Sequence, residues 1–312
     1  MKQYWKNTFW LGLIGALAII FLSVADAKAW GTSDITNIRW ESSVHHGKKF
    51  RSYEIIKAGE GEPVIGKKSF KFVAVPFDCG HDGSGWYSDC SSSGTDQNYT
   101  SNYDPNKRIG GGDRMRSELS SGGGNPLSSE VWLSFSIFIP EDYKTISPTM
   151  TSMFQIYEKG KGPNLKIEDF HGKLMAKIKI KGKEPYCACP TSENPAKPVL
   201  ISIDDMKGKW THFKVHTKQS KKEDKGFYKF YVNDKLVAEF YGKTSGNKKK
   251  GIYLKAGIYQ TGISRSLPFW DMPKNWKQGQ PAGNFPTQVI YMDNIFKASS
   301  LEGLNKKINK AK

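Results

Sequence analysis

The stretch "VWLSFSIFI", residues 131–139, carries large apolar side chains at every second position. Successive side chains of a β-strand point to opposite faces, so one face of this segment is apolar and is expected to line a core. Pro140 follows directly and is expected to end the strand. The pattern predicts a half-buried strand of an antiparallel sheet. Its core-facing residues would be Val131, Leu133, Phe135, Ile137 and Ile139.

Segments of the same kind recur along the chain, whereas helical periodicity is scarce. The stretch "FYKFYVNDKLVAEFY", residues 227–241, predicts a β-hairpin with Asn233 and Asp234 at its turn. Clusters rich in Gly, Ser, Asn and Pro separate the segments, as in "SSGGGNPLSS", residues 120–129. The sequence therefore predicts an all-β fold, a jelly-roll sandwich of two antiparallel sheets. The last residues, "NKKINKAK", are expected to form a frayed basic tail.

The first 29 residues have the features of a secretory signal peptide. Lys2 and Lys6 precede the apolar run "FWLGLIGALAIIFLSV", and small residues in "ADA" and "AKA" follow before Trp30. An uncleaved membrane anchor is the alternative. We expect residues 1–29 to be removed and residues 30–312 to form a single domain. The protein would then be secreted or periplasmic, with no membrane association after cleavage.

The chain is strongly basic, with a formal net charge of +17 that becomes +15 without residues 1–29. A field of one sign attracts partners of the other sign. Export argues against nucleic acid as the partner and favours acidic polysaccharides, although a merely soluble basic surface is the alternative. We therefore expect an anionic polysaccharide partner, no nucleic acid, and a monomer.

Four cysteines follow the predicted signal peptide, at Cys79, Cys90, Cys187 and Cys189. An even number in an exported chain predicts two disulfides, and three pairings are open. A zinc site built from all four is disfavoured, because "CAC" has a one-residue gap and no Cys-x-x-Cys pair is present.

Three of the predicted strands combine an apolar face with a face of reactive polar groups. A concave sheet could bring these three polar faces into one groove, although a polar outer face is also ordinary for antiparallel sheets. The candidates are Arg114, Arg116 and Glu118 in "DRMRSEL", Gln155 and Tyr157 in "MFQIYE", and Tyr253, Lys255 and Tyr259 in "YLKAGIYQ".

These stretches resemble the three signature strands of family 7 alginate lyases, which have the motifs R-x-E-L, Q-I/V-H and Y-x-K-A-G-x-Y-x-Q. Most of residues 110–297 are also similar to heparin lyase I-type polysaccharide lyases, as in "VWLSFSIFIPEDY" and "IYMDNIF". Gln260 falls one residue earlier than the third motif places its Gln. The resemblance implies a concanavalin-like jelly roll with substrate in the groove of the concave sheet. It also implies cleavage of uronic-acid polysaccharides by β-elimination.

In β-elimination a base removes the proton on C5 of a uronate, and an acid protonates the oxygen leaving C4. The neighbouring carboxylate must be neutralised, a role that the resemblance implies for Arg116, Gln155 and Lys255. Tyr259 occupies the position of the catalytic tyrosine, and a tyrosine can serve if nearby positive charge lowers its pKa of about 10. Lys255 lies about 13 Å away along an extended strand, so a closer arginine from a neighbouring strand is expected to act on Tyr259.

The chain departs from the family where Tyr157 replaces a histidine. Either Tyr157 takes over its role, or another histidine enters the site, or the protein only binds its polymer. The other histidine candidates are His45, His46, His81 and His171. We assign substrate contacts to Arg114, Glu118, Tyr253 and His81. We read His212 and His216 as part of a solvated strand face.

The sequence gives less support to glycoside hydrolysis and to metal-dependent or cofactor-dependent chemistry. The paired-carboxylate strand E-x-D-x-x-E is absent, and Glu168 and Asp169 are neighbours that should point to opposite faces, which disfavours a glycoside hydrolase. We predict no cofactor and no catalytic metal, with a structural calcium ion near acidic loops as the alternative.

Overall fold

A computed structural model of the chain describes residues 39–45, 48–50, 53–75, 79–81, 114–120, 130–158, 162–179, 186–187, 198–222, 224–244, 252–261, 263, 266, 269–271 and 283–311. Only the backbone is described for 39–45, 48–50, 79–81, 114, 186–187 and 252. All of these residues belong to one compact unit, Gly31–Lys312. The predicted signal peptide, His46, Cys90 and Cys189 lie outside the described residues, so the signal peptide and the disulfides stay predictions.

Most of the regular secondary structure in the described residues is β-strand. Its strands are β1 (Arg39–His45), β2 (Lys48–Phe50), β3 (Tyr53–Lys57), β4 (Lys68–Ala74), β5 (Cys79–His81), β6 (Arg114–Ser120), β7 (Glu130–Phe138), β8 (Met150–Glu158), β9 (Gly162–Phe170), β10 (Lys173–Ile178), β11 (Tyr186–Cys187), β12 (Val199–Ser202), β13 (Trp210–Lys218), β14 (Phe227–Val232), β15 (Lys235–Tyr241), β16 (Ile252–Thr261) and β17 (Gln288–Ala298). A short 3-10 helix spans Asp204–Met206, and α1 spans Leu301–Ala311.

The strands form two antiparallel sheets. The front sheet has the order β12-β10-β9-β8-β16-β6-β1-β2, with β5 also paired to β1. The back sheet has the order β11-β15-β14-β13-β7-β17-β4-β3. The predicted all-β jelly-roll sandwich of two antiparallel sheets is confirmed.

The core between the sheets follows the alternation read in β7. Leu133, Phe135 and Ile137 are buried there. The Phe135 ring lies between Phe154 of the front sheet, with centroids 4.2 Å apart, and Phe213 of its own sheet, with centroids 5.0 Å apart. Burying one such side chain contributes roughly 1.5–3 kcal/mol, so this stack helps to hold the two sheets together.

The chain ends in a helix and not in the frayed tail that its charge suggested. Leu304 is fully buried, and its backbone N–H donates to the Ser300 carbonyl at 3.0 Å. Asn305 accepts a hydrogen bond from Lys214 of β13 at 3.0 Å. One buried leucine and these contacts anchor a segment whose other residues are mostly polar, which composition alone did not reveal.

Gly257 breaks the regular pairing of β16. Its φ is 127°, and the register of β16 on β8 shifts between Ala256 and Tyr259. A Cβ at Gly257 would lie 2.3 Å from the Ser117 carbonyl oxygen and 2.8 Å from Cδ1 of Phe72. Only glycine fits here, because both the backbone conformation and the space exclude a side chain.

We expect Gly257→Ala to lower the free energy of unfolding by about 2–4 kcal/mol, since it adds backbone strain to a clash with backbone atoms. Denaturant titration measures the change. Gly59→Ala is the matched control, because Gly59 has a φ of 93° but nothing within 4 Å of its Cβ position. Equal losses in the two variants would show that the close approach to Ser117 is unimportant.

Candidate active site

The three strands with reactive polar faces are neighbours in the front sheet, in the order β8-β16-β6. Tyr259 pairs directly with Arg116 of β6, and Lys255 pairs directly with Gln155 of β8. Directly paired residues of antiparallel strands lie side by side on the same face. The register therefore brings together candidates that are far apart in the sequence.

Glu118 lies at the centre of a buried polar cluster on this face. Gln155 Nε2 and Lys255 Nζ donate hydrogen bonds to its carboxylate, the second at 3.0 Å. Arg116 Nη1 lies 3.5 Å from the same carboxylate. The exposed fraction of each of these four residues is 5% or less. Buried charges are tolerated when they are paired and hydrogen-bonded, so Glu118 fixes the positions of three donors.

Tyr259 lies between two cations. The guanidinium carbon of Arg116 is 4.5 Å from the centre of the Tyr259 ring, and Nζ of Lys166 is 5.0 Å from it. Arg116 is therefore the closer arginine on a neighbouring strand that the sequence led us to expect. Both contacts are cation–π interactions, in which the electron-rich face of an aromatic ring attracts a cation. Tyr259 is partly exposed, unlike the Glu118 cluster.

Tyr157 and Tyr253 lie beside the Glu118 cluster. Their ring centroids are 5.0 Å apart, and Lys255 Nζ lies 5.5 Å from the centre of the Tyr157 ring. Both tyrosines are partly exposed. Tyr157 thus has a phenol on the same face as Gln155, at the position where the family motif has a histidine.

A second carboxylate extends the polar face across β9 and β10, and sequence reasoning did not select it. Glu168 accepts a hydrogen bond from Ser152 at 3.3 Å and lies 3.9 Å from Lys166 and 3.6 Å from Lys177. The alternation of "NLKIED" could have indicated this, because Leu165 and Ile167 face the core while Lys166 and Glu168 point to the opposite face.

The structure gives no histidine contact to this face among the described side chains. His171 is exposed on the β9–β10 turn against Phe170, with centroids 4.2 Å apart. His212 Nδ1 forms a hydrogen bond with Ser136 at 2.8 Å, and the His216 ring stacks on Trp132 with centroids 4.1 Å apart. These four residues lie on the back sheet. The side chains of Arg114, His45 and His81 are not among those described, so their predicted roles stay predictions.

Two carboxyl groups outside the Glu118 cluster, those of Asp293 and Asp169, have clearly raised pKa values. Burial raises the pKa of Asp293 to about 7, against a hydrogen bond from Ser69 at 2.6 Å. Burial likewise raises the pKa of Asp169 to about 6, against hydrogen bonds from Tyr143 and Thr145. Asp169 and its neighbour Glu168 contact different partners, so they form no hydrolase-like carboxylate pair.

Within the described residues, no group of three or more His, Cys, Asp or Glu side chains could hold a metal ion. Among the helices of the same residues, none is long and apolar enough to cross a membrane.

Fold and site together define a class: a β-sandwich protein that presents cations, an amide and phenols on one sheet face, groups that are capable of acid–base catalysis. A family model described as "Polysaccharide lyase" matches residues 83–296. The chain therefore belongs to the polysaccharide lyase family, and the predicted resemblance is confirmed.

Several solved structures are similar in fold. They include an endo-β-1,4-glucuronan lyase from the fungus Trichoderma reesei, with 13% identity, 84% of this chain and 91% of that chain covered, and a TM-score of 0.48. The alginate lyase AlgAT5 from polysaccharide lyase family 7 has 14% identity, coverages of 86% and 97%, and a TM-score of 0.45. The family 7 alginate lyase A1-II′ has 11% identity, coverages of 85% and 96%, and a TM-score of 0.46. A search of curated proteins found no match.

Proposed function

We propose that this polysaccharide lyase cleaves an anionic uronic-acid polysaccharide by β-elimination on the polar face of the front sheet. The observation that carries the proposal is the position of Tyr259. Its ring lies between Arg116 and Lys166, next to a buried cluster of donors fixed by Glu118. A partly exposed phenol thus stands beside groups able to neutralise a carboxylate.

The donors of the Glu118 cluster suit the first requirement of the reaction. The C5 proton becomes acidic only when the uronate carboxylate beside it is neutralised. Arg116, Gln155 and Lys255 would share this role, with their positions set in advance by Glu118. Preorganised donors in a desolvated site stabilise developing charge more strongly than water does, because they need no reorganisation during the reaction.

Tyr259 suits the second requirement, the proton transfers. The phenolate takes the C5 proton, and the electron pair of that bond forms the C4–C5 double bond as the C4–oxygen bond breaks. The phenol so formed returns the proton to the leaving oxygen. Tyr157 is a second phenol on the same face and could carry one of the two transfers.

The positive charge of the face supports a polyanionic substrate. Among the described side chains, the cations Arg116, Lys166, Lys177 and Lys255 outnumber the carboxylates Glu118 and Glu168. A field of this sign attracts and retains an acidic polymer. The signal-like residues 1–29 support the further proposal that the protein meets this polymer after export, as a secreted or periplasmic enzyme.

The alternative is a protein of the same family that binds the polymer without cleaving it, and Tyr157 in place of the motif's histidine favours it. One experiment separates the possibilities. The protein is incubated with alginate, glucuronan, heparin and related polymers, and the ultraviolet absorbance of an unsaturated uronate product is followed. A rise in absorbance supports the lyase. New reducing ends without the absorbance would mean hydrolysis, and retention on the polymer with neither would mean binding only.

We expect salt to weaken polymer binding strongly, because the attraction between a basic face and a polyanion is screened. The Debye length falls from about 30 Å at 0.01 M to about 3 Å at 1 M ionic strength, and we expect affinity to fall by roughly tenfold or more over this range. Affinity electrophoresis or retention on immobilised polymer measures the affinity at each salt concentration, with a neutral glucan as the control matrix. Binding that stays constant across the range would contradict a polyanionic ligand.

A further inference from the structure

Lys166 reaches Tyr259 across an intervening strand. It lies on β9, whereas Tyr259 lies on β16, and β8 runs between them. The residue of β8 that pairs directly with Tyr259 is Ser152. The direct partner of Lys166 on β8 is Gln155, and Ser152 pairs with Glu168, so the lysine side chain crosses β8 diagonally to reach the ring. Only 13% of the Lys166 side chain is exposed.

Glu168 holds Lys166 in this position. Its carboxylate lies 3.9 Å from Lys166 Nζ and 3.6 Å from Lys177 Nζ, and it accepts a hydrogen bond from Ser152. The Glu168 carboxylate therefore forms ion pairs with both lysines. Only Lys166 is placed over the Tyr259 ring among the lysines of β9 and β10 that the structure describes.

We propose that Lys166 is a positioning residue of the elimination reaction, which orients the Tyr259 ring and favours the phenolate that removes the C5 proton. The inference rests on the proposed function and deepens it. Arg116 acts on the ring from β6, and Lys166 would add a second cation from β9.

The charges around Tyr259 are consistent with this role. Arg116 faces the ring from β6 and has Glu118 at 3.5 Å. Lys166 faces it from β9 and has Glu168 at 3.9 Å. On β8 the directly paired residue is uncharged, and on β16 itself Lys255 is hydrogen-bonded to Glu118. Two cations thus contact the Tyr259 ring, and the carboxylates of Glu118 and Glu168 lie against these cations and their neighbours.

The test is the pH–rate profile of Lys166→Met, which keeps the length of the side chain and removes its charge. We expect the rising limb of the kcat profile to move to higher pH by about one unit. The reason is that a nearby opposite charge changes the pKa of an ionisable group by about 1–3. At a pH on that limb kcat should fall about tenfold, with a smaller change in KM. Lys166→Arg should restore the profile of the wild type.

Lys177→Met is the matched control, because Lys177 shares the Glu168 partner but has no contact with the Tyr259 ring among the described contacts. We expect it to raise KM and to leave the pH limb in place. Unfolding midpoints of both variants verify that the fold is retained. An equal displacement of the limb in both variants, or none in Lys166→Met, would overturn the inference.

A titration that needs no turnover separates this inference from the proposed function. The tyrosinate absorbance of each protein is compared with that of the same protein carrying Tyr259→Phe, which isolates the ionisation of this phenol. We expect the Tyr259 ionisation to move to higher pH in Lys166→Met and not in Lys177→Met. An inactive wild type with this displacement would reject the lyase proposal while supporting the coupling of Lys166 to Tyr259. Absence of the displacement would reject the coupling, whether or not the protein is active.

Discussion

Tyr259→Phe is expected to lower turnover by about 100-fold or more while leaving the fold and polymer binding nearly unchanged. The phenylalanine ring can still lie between Arg116 and Lys166, and only the hydroxyl group is lost. Loss of a general acid or base usually costs about 100-fold to 10,000-fold in rate. Initial rates of unsaturated product, retention on immobilised polymer and the unfolding midpoint measure the three properties separately.

Two further variants make the test specific. Tyr231→Phe is the control, because Tyr231 packs against Trp132 on the back sheet, and we expect full activity from it. Tyr157→Phe decides whether this phenol has taken over the role of the motif's histidine. If it has, its loss of rate should match that of Tyr259→Phe. If Tyr157 is only a wall of the site, activity should survive, and His81→Ala becomes the next variant to examine. Full lyase activity in Tyr259→Phe would overturn the mechanism.

Glu118→Ala is expected to lower the free energy of unfolding by about 3–5 kcal/mol and to reduce activity severely. Removing one partner of a buried ionic cluster leaves the remaining charges without compensation. Here Lys255 and Arg116 would lose the carboxylate that they share, and Gln155 would lose its acceptor. Denaturant titration gives the loss of stability, and the ultraviolet assay gives the loss of activity.

Glu130→Ala is the matched control for this prediction. Glu130 also contacts two basic side chains, His216 at 3.0 Å and Lys218 at 3.9 Å, but its own side chain is 47% exposed. Exposed ion pairs contribute about 0–1 kcal/mol, so we expect a small loss of stability and no loss of activity. A loss in Glu118→Ala as small as that in Glu130→Ala would show that the Glu118 cluster is not a structural support of the site.

Much of the fold was open to prediction from local patterns. The period-two alternation of residues 131–139 identified the core face of β7, and the Asn233–Asp234 turn identified the β14–β15 hairpin. Both residues of this turn have the positive φ values that such hairpins require, 47° and 67°. Local patterns succeed here because strand alternation and tight turns depend on neighbouring residues.

The polar faces of the site strands were predictable for the same reason. Arg116 and Glu118 alternate with buried Met115 and Leu119, so the side of the strand that each occupies follows from its position. The sequence therefore indicated which side chains would share a face. It also indicated that a closer arginine, and not Lys255, would act on Tyr259.

Only the tertiary structure decided which strands lie next to one another and in which register. Lys255 and Glu118 are 137 residues apart and meet because β16 pairs with β6. Lys166 reaches the Tyr259 ring diagonally across β8, where its own direct partner is Gln155 and that of Tyr259 is Ser152. Alternation gives the face of each strand, but a shift of register changes every cross-strand neighbour. The amino-acid sequence by itself thus determined the strands and their polar faces, whereas long-range pairing determined that Glu118 anchors the donors and that two cations flank Tyr259.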